Sequence, residues 1–374
     1  MITSQSLRRM RRGSRHSAAS ARAIHDLIVS GPTKKPIIAY GPPGRSAVTG
    51  QVATVFGCTG FLGRYLVAKL AKAGTQVIVP YRDEDMKRHL KPMGDLGQIV
   101  NMEWDLRNDD QVRECLRHSD IVYNLVSRDY ETKNYSFEDV NVTGAAKIAS
   151  LAQEAKVSRF VHVSHLNASP TSPSKFYATK AKGEEAVRES FPMATIVRPG
   201  PIYGYEDRLL RSIATWPSTW KMNNSNTKLR PVHVMDVAQG LTNLIYQPAL
   251  ARTLSLPGPQ TFTIEQMFDL VQAITMNPAS KAPHLPKFVA KLLARTSDFV
   301  WWPVLSPDQV ERRYIDDANV EGDWDALGVV PDEIERHAVN YLQSYRAPEN
   351  MYRPPVIPDS TNRTSPERSY HVMQ

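Results

Sequence analysis

Between Val52 and Val67 the chain changes its hydrophobic period. Val52-Ala-Thr-Val-Phe56 is a β-branched apolar run, an amphipathic helical pattern begins around Thr59, and Gly57, Gly60 and Gly63 occupy the junction. Each glycine answers a different steric demand. Gly57 permits the tight strand-to-helix turn, Gly60 lets a pyrophosphate approach the backbone, and Gly63 lets the helix pack closely on the strand. The spacing is G-x-x-G-x-x-G rather than G-x-G-x-x-G, and the strand-before, helix-after context is the one a dinucleotide site requires. Thr59, Phe61, Leu62 and Arg64 share this turn and complete the first expected set of cofactor contacts.

The pattern on either side sets the fold class. Strands are expected at Val52–Phe56, Gln76–Pro80, Ile99–Trp104, Ile121–Leu125, Arg159–Ser164 and Ala194–Arg198. Helical patterns fall between them at Phe61–Ala73, Asp109–Arg117, about Phe137–Ala155 and about Ser174–Ser190. Apolar strands separated by amphipathic helices give an α/β fold, a Rossmann-type doubly wound parallel sheet. From about Ile202 the pattern becomes irregular and proline-rich, with pieces at Pro231–Val234, Val237–Tyr246 and Ile264–Ile274, which suits a smaller C-terminal α/β lobe. The expected organisation is a presequence at 1–25, a Gly/Pro linker at 26–50, the nucleotide-binding domain at 51–201, the smaller lobe at 202–346 and an extended tail at 347–374.

The charge of +8 is not a property of the whole chain: residues 1–25 carry six arginines and no acid, leaving +2 for the rest. A basic excess confined to one end argues for targeting rather than for nucleic-acid binding. The Arg, Ser and Ala composition of that segment, without acids, is that of a mitochondrial presequence. No stretch reaches the ~18 consecutive apolar residues of a spanning helix. Two cysteines, Cys58 and Cys115, cannot build a disulfide framework, and no metal-ligand spacing accompanies them, so no metal site is expected and a reducing compartment fits. Leu285–Leu305 combines apolar residues, spaced lysines and adjacent tryptophans; a membrane-surface or partner-docking helix and a packed core helix both fit it.

The second strand ends at Tyr81-Arg82, 19 residues beyond Gly63. That location meets the adenosine ribose, where an acid binds a free 2′-hydroxyl and an arginine accommodates a 2′-phosphate. Arg82, with Arg64 nearby, therefore favours NADPH, although Asp83 and Glu84 follow directly. Asp105-Leu106 after the third strand is placed for the adenine amino group, and Asn124-Leu125-Val126 after the fourth for the adenosine and bridging phosphates.

Together with Val161-His-Val-Ser164, Lys180-x-x-x-Glu184, Arg198-Pro-Gly-Pro-Ile-Tyr-Gly204 and Pro231-Val-His-Val-x-Asp-Val-Ala238, these motifs resemble the extended or atypical short-chain dehydrogenase/reductases over about residues 50–275. The resemblance implies that Ser164, Lys180 and Pro199 contact the cofactor. Pro80-Tyr-Arg82, Pro92–Gln98, Glu103-Trp-Asp105, Arg128–Asn134, His162–Ala168 and Glu206-Asp-Arg208 further resemble the nucleotide-binding accessory subunits of respiratory complex I. That likeness implies a tightly held NADPH with a structural role, in an inner-membrane complex of the mitochondrion. It also implies a place on the matrix side, beside other complex I subunits near the membrane.

The dehydrogenases use a Tyr-x-x-x-Lys helix whose lysine lowers the tyrosine pKa while the tyrosine exchanges a proton with substrate. Here Lys180 and Glu184 set the register, and Phe176 stands where that tyrosine is expected; Tyr177 lies one residue on, turned about 100° around a helix of ~3.6 residues per turn. A phenyl ring donates no proton, so no catalytic residue is assigned. An irregular helix start that turns Tyr177 inward would restore a donor. A free-standing mitochondrial NADP-dependent reductase or epimerase is the alternative, and a lipid-surface or RNA-binding role rests on 285–305 alone.

Overall fold

The computed structural model describes residues 29–34, 36–39, 48–215, 222–247, 251–276, 285–300 and 306–353. The expected presequence, the Gly41–Gly44 stretch, residues 301–305 with their tryptophans and the tail from 354 lie outside the described residues.

The strands are β1 (Val52–Phe56), β2 (Gln76–Tyr81), β3 (Ile99–Glu103), β4 (Ile121–Asn124), β5 (Arg159–Val163), β6 (Thr195–Pro199), β7 (Ile202–Tyr203), β8 (Lys228–Leu229), β9 (Val232–His233), β10 (Thr253–Leu256) and β11 (Phe262–Thr263). The helices are α1 (Phe61–Lys72), α2 (Asp109–Leu116), α3 (Gly144–Glu154), α4 (Lys175–Ser190), α5 (Leu210–Thr215), α6 (Val234–Asn243), α7 (Ile264–Thr275), α8 (Lys287–Val300), α9 (Pro307–Arg312), α10 (Trp324–Leu327) and α11 (Ile334–Leu342). Seven strands form one sheet in the order β10-β6-β5-β4-β1-β2-β3, and every pairing is parallel.

The strands are apolar without interruption because helices cover both faces. Along β1 the side chains alternate between two cores, as the two-residue period of a strand requires. Ala53 and Val55 meet Leu66, Val67 and Leu70 of α1 and Val237 and Leu241 of α6. Phe56 turns the other way, onto Trp104, Val112 of α2 and Ile148 and Ala149 of α3. Thr54 on that second face is satisfied by donating to the Cys115 carbonyl at 3.1 Å. Each fully buried Leu or Val contributes about 1.5–3 kcal/mol, so the two layers rather than helix propensity fix α1 and α3 on the sheet.

Six expected strands are present, and a seventh, β10, was not legible. The chain returns from the segment after α6 to pair Thr253–Leu256 with Ile196–Pro199. The long helix expected at 137–155 is also subdivided: Asp139–Thr143 is a π-helical turn leading into α3. Asn141 in that turn donates to Thr179 Oγ1 of α4 and accepts from Ser127 Oγ, bridging a helix and the loop after β4. Wide turns of this kind occur mostly at functional sites.

The second lobe gathers α5, α7 and α11 around Phe262, Phe268, Val271, Ile334 and Leu342. Helix α8 resolves the two readings of 285–305 into two faces. Ala290 and Ala294 pack against Val310 of α9, while Phe288 (77 %) and Leu292 (52 %) are exposed together with Val289 and Leu293. Among the described residues no helix is long and apolar enough to cross a membrane.

Candidate functional site

The order of strands reverses between β1 and β4, and in open α/β sheets a ligand crevice forms at such a switch point beyond the carboxyl ends. Seven expected contacts, Gly57, Thr59, Gly60, Arg82, Leu106, Leu125 and Val126, line one crevice there. Gly57 has φ +81°, a left-handed conformation natural to glycine, and a Cβ on Gly63 would lie 2.4 Å from the Gly57 carbonyl oxygen. Gly60 is different. Its backbone is extended (φ −77°, ψ 177°), and a Cβ there would meet no protein atom closer than the Gly57 oxygen at 3.2 Å. Its missing side chain leaves room in the crevice itself.

Helix α1 starts at this point with no side-chain cap and no acid in its first turn. The N–H groups of Phe61, Leu62 and Gly63 therefore lack the side-chain acceptors that usually satisfy a helix start, and the helix dipole adds positive potential. Uncapped helix starts of this kind suit anions, and the N-cap residue Gly60 lines the crevice.

Arg82 lines the other side and, among the described residues, has no ion-pair partner. The two acids behind it are engaged along the chain: Glu84 pairs with Lys87 at 2.6 Å, and Asp83 accepts from the Asp85 N–H. Arg64 instead pairs with Glu206 of the second lobe. Asp105 lies at the edge, where its carboxylate accepts from Arg107 N–H at 2.8 Å and from Tyr135. Asn124 shapes the strand end, its Oδ1 accepting from Val126 N–H. Six residues beyond those expected also line the crevice: Pro80, Trp104, Ser127, Arg128, Tyr135 and Val140. Their signal was position, since Ser127 and Arg128 follow β4 directly at the switch point.

Ser164, just after β5, and Lys180 of α4 are not among the residues that line this crevice. Lys180 is 3 % exposed, donates to the Val163 carbonyl at 3.3 Å and has its pKa pushed down to about 8 by burial, against the pull of Asp129 and Glu184. Ser164 Oγ and His162 Nε2 are buried with no partner of their own, and burial drives the His162 pKa down to about 3, so it is neutral. Pro199 ends β6, and its carbonyl accepts from Leu166 N–H. Glu184 takes a two-bond grip from Arg198 at 2.8 and 2.6 Å, which ties α4 to β6 and holds Lys180 in place.

Four residues before Lys180, Phe176 is 5 % exposed, its ring 5.9 Å from the lysine Nζ. Arg312 of α9 lies over the same ring at 4.6 Å, and Phe137, Tyr177 and Ile315 close around it. Tyr177 is also buried, against His165 (ring centroids 4.7 Å); burial pushes its pKa up to about 12, with Asn167 hydrogen-bonding to it. Its neighbour Asn167 donates to Asp317 at 2.8 Å and accepts from Ala318 N–H. The phenol is thus embedded in the contact with the second lobe.

The sequence contains no metal-ligand spacing, yet folding brings His233, Asp332 and His337 to within 4.8 Å of one another at the junction of the lobes. Each already has a neighbour: His233 Nε2 bonds Tyr341 at 2.7 Å and His337 Nε2 bonds Asp332 at 3.1 Å.

Comparison with known proteins places this geometry. The profile of a family described as NAD(P)H-binding matches residues 57–248. The NADH-ubiquinone oxidoreductase 40 kDa subunit, mitochondrial, of Neurospora crassa is 44 % identical, covering 90 % of this chain and 90 % of that protein. The rat NADH dehydrogenase (ubiquinone) 1 alpha subcomplex subunit 9, mitochondrial, is 41 % identical over 83 % of this chain and 84 % of its own. Among solved structures, the triphenylmethane reductase of Citrobacter sp. superposes with a TM-score of 0.61 over 78 % of this chain and 99 % of that one, at 14 % identity, a likeness of fold.

Proposed function

The chain belongs to the NAD(P)H-binding family that contains the mitochondrial NADH:ubiquinone oxidoreductase 40 kDa and alpha subcomplex 9 subunits, and from that premise we propose that it is an NADPH-holding, non-catalytic accessory subunit of respiratory complex I. The observation that carries the reading is the contrast between the crevice at the switch point and the start of α4. The crevice, which would take the pyrophosphate and adenosine, is open and positively polarised, with α1 uncapped and Arg82 without an ion-pair partner among the described residues. The start of α4, where a proton would be exchanged, presents a buried phenyl ring under Arg312.

The residues present fit the nucleotide. Gly60 leaves the space its pyrophosphate needs, the first N–H groups of α1 face that charge, and Ser164 Oγ is a buried polar atom awaiting a partner. Arg82 lines the crevice just beyond the second strand, where an arginine suits a 2′-phosphate, and this supports NADPH over NADH. NADPH brings hydride chemistry wherever a substrate can reach it. Here Lys180 holds its position, Phe176 exchanges no proton, and Tyr177 is turned into the packed contact near Asn167, which argues against a free-standing reductase or epimerase.

A ligand that binds only the folded chain stabilises it without reacting, by about 4 kcal/mol at a thousandfold excess over Kd. This gives a nucleotide a structural part in an assembly. The proposed location is the matrix side of the inner membrane, in the peripheral arm near the bilayer, among other complex I subunits. The exposed Phe288, Val289 and Leu292 of α8 support a contact with the membrane surface there. A tagged full chain expressed in its own mitochondria should co-migrate on native gels with NADH:ubiquinone oxidoreductase activity. A tag found only at monomer mass would remove the partner half of the proposal.

A further inference from the structure

The two loops that cradle the crevice are each fastened to the second lobe. At the glycine turn, Arg64 pairs with Glu206, and the Phe61 ring lies against Gly204, where a Cβ would come within 2.9 Å of it. At the loop after β4 the link is denser. Leu125 to Arg128 line the crevice, and the next residue, Asp129, holds two arginines from far along the chain. Its Oδ2 accepts from Arg208 Nη1 at 2.6 Å, and its backbone oxygen accepts from Arg312 Nη2 at 2.7 Å. Arg312 Nη1 is also 3.6 Å from Asp129 Oδ1.

Arg312 passes the connection on. Its Nε lies 3.4 Å from Asp308 Oδ2, and Asp308 accepts from Ser174 Oγ at 3.0 Å and from Lys175 N–H at 2.8 Å, capping α4, the helix that carries Lys180. A few residues on, Asp317 accepts from Asn167 and from Arg230 N–H. The segment 306–318 is thus tied by polar contacts to the loop after β4, to the start of α4 and to Asn167 and Arg230.

We propose that Asp129, with Arg208 and Arg312, is a latch through which a nucleotide in the crevice holds the second lobe on the sheet, so that occupancy sets the order of segment 306–318. The inference rests on reading the crevice as the NADPH site, and it supplies what that site does for the rest of the chain. The physical reason is the adjacency of Arg128 and Asp129. A ligand that fixes the backbone at Val126–Arg128 fixes the acceptors at Asp129. Exposed pairs such as Asp129–Arg208 are weak alone, whereas Arg312, at 16 % side-chain exposure, is left short of partners if Asp129 moves. Two-state coupling follows, and it is reciprocal: whatever factor the nucleotide adds to latch closure, the closed latch adds to nucleotide affinity.

Hydrogen–deuterium exchange of the full chain, with and without NADPH, tests this. NADPH should slow exchange both at residues 57–63 and across 306–318, the latter by about 5–150-fold, the usual span of such coupling. Arg312→Gln should remove most of the protection at 306–318 while 57–63 remain protected, and should weaken NADPH by the same factor. Arg208→Gln, on an exposed side chain, should remove part of it with no cost in folding. Protection confined to 57–63 in the parent chain, or full protection of 306–318 in both variants, would overturn the latch. Loss of NADPH protection at 57–63 in the parent chain would instead overturn the assignment of the crevice.

Discussion

Gly60→Asp should raise the stability of the empty protein and abolish its response to NADPH. Gly60 is the N-cap of α1, its backbone is extended, and a side chain there meets only the Gly57 oxygen at 3.2 Å. An aspartate can therefore adopt the native backbone and accept from the free N–H groups at Leu62 and Gly63. An Asp N-cap exceeds glycine by a few tenths of a kcal/mol, and its charge at the helix start adds about 0.3–1 kcal/mol, so a gain of roughly 0.5–1 kcal/mol is expected. The same carboxylate stands where the pyrophosphate would lie, with like charge. The parent chain at a thousandfold excess of NADPH over Kd should gain about 4 kcal/mol, a Tm rise of about 5 °C for a chain of this size. Thermal unfolding of the full chain across an NADPH titration reads both effects. Gly63→Ala is the control of opposite sign: with the Gly57 oxygen 2.4 Å from its Cβ, it should destabilise the empty protein by about 1–3 kcal/mol through overpacking and so lower its Tm. A Gly60→Asp protein that still rose with NADPH, or that unfolded as early as Gly63→Ala, would refute the reasoning.

Three further expectations concern other parts of the molecule. Arg82→Ala should weaken NADPH about 10–100-fold and leave NADH nearly unchanged, the loss of a charge-assisted grip worth roughly 1.5–3 kcal/mol; equal weakening of both in a calorimetric titration would exclude Arg82 as the 2′-phosphate ligand. Lys180 has its pKa lowered from 10.5 to about 8, so the unfolded chain binds the extra proton between those values and stability should rise with pH across that window. Compared without nucleotide by urea unfolding, Lys180→Met should lose that rise, about 3 kcal/mol at full extent; parallel pH profiles for the two proteins would show that the lysine is not titrating there. Phe288→Glu with Leu292→Glu should cut sedimentation of the chain with liposomes of inner-membrane composition while leaving its unfolding free energy within about 0.5 kcal/mol of the parent, as for exposed positions; undiminished sedimentation would remove α8 as the membrane contact.

What could be read from the sequence was local. The strand, turn and helix of Val52–Lys72 are written in a change of period and three glycines, and the switch-point crevice follows from the order of strands that such units impose. The position of Arg82 is equally local, a fixed step beyond the turn. The seventh strand was missed because Thr253-Leu-Ser-Leu256 is four residues long, and an alternation with only two apolar positions is too short to stand out from the irregular chain around it. The π-helical turn at Asp139–Thr143 escaped because its side chains are compatible with an α-helix, and the extra residue per turn answers the packing of Asn141 against α4. The closure around Phe176 was the least legible. Arg312 reaches Phe176 across 136 positions and Asp129 across 183, and no periodicity in one segment announces a partner that distant. The exposed face of α8 became visible only once Ala290 and Ala294 were seen to take the inner side.

The central claim is that the cleft holds NADPH without turning it over. Mass spectrometry of the nucleotide released by denaturing the native, assembled protein tests it most directly. NADPH or NADP⁺ should be found at close to one per chain, retained through gentle purification. Recovery of no nicotinamide nucleotide, or of NADH alone, would contradict it.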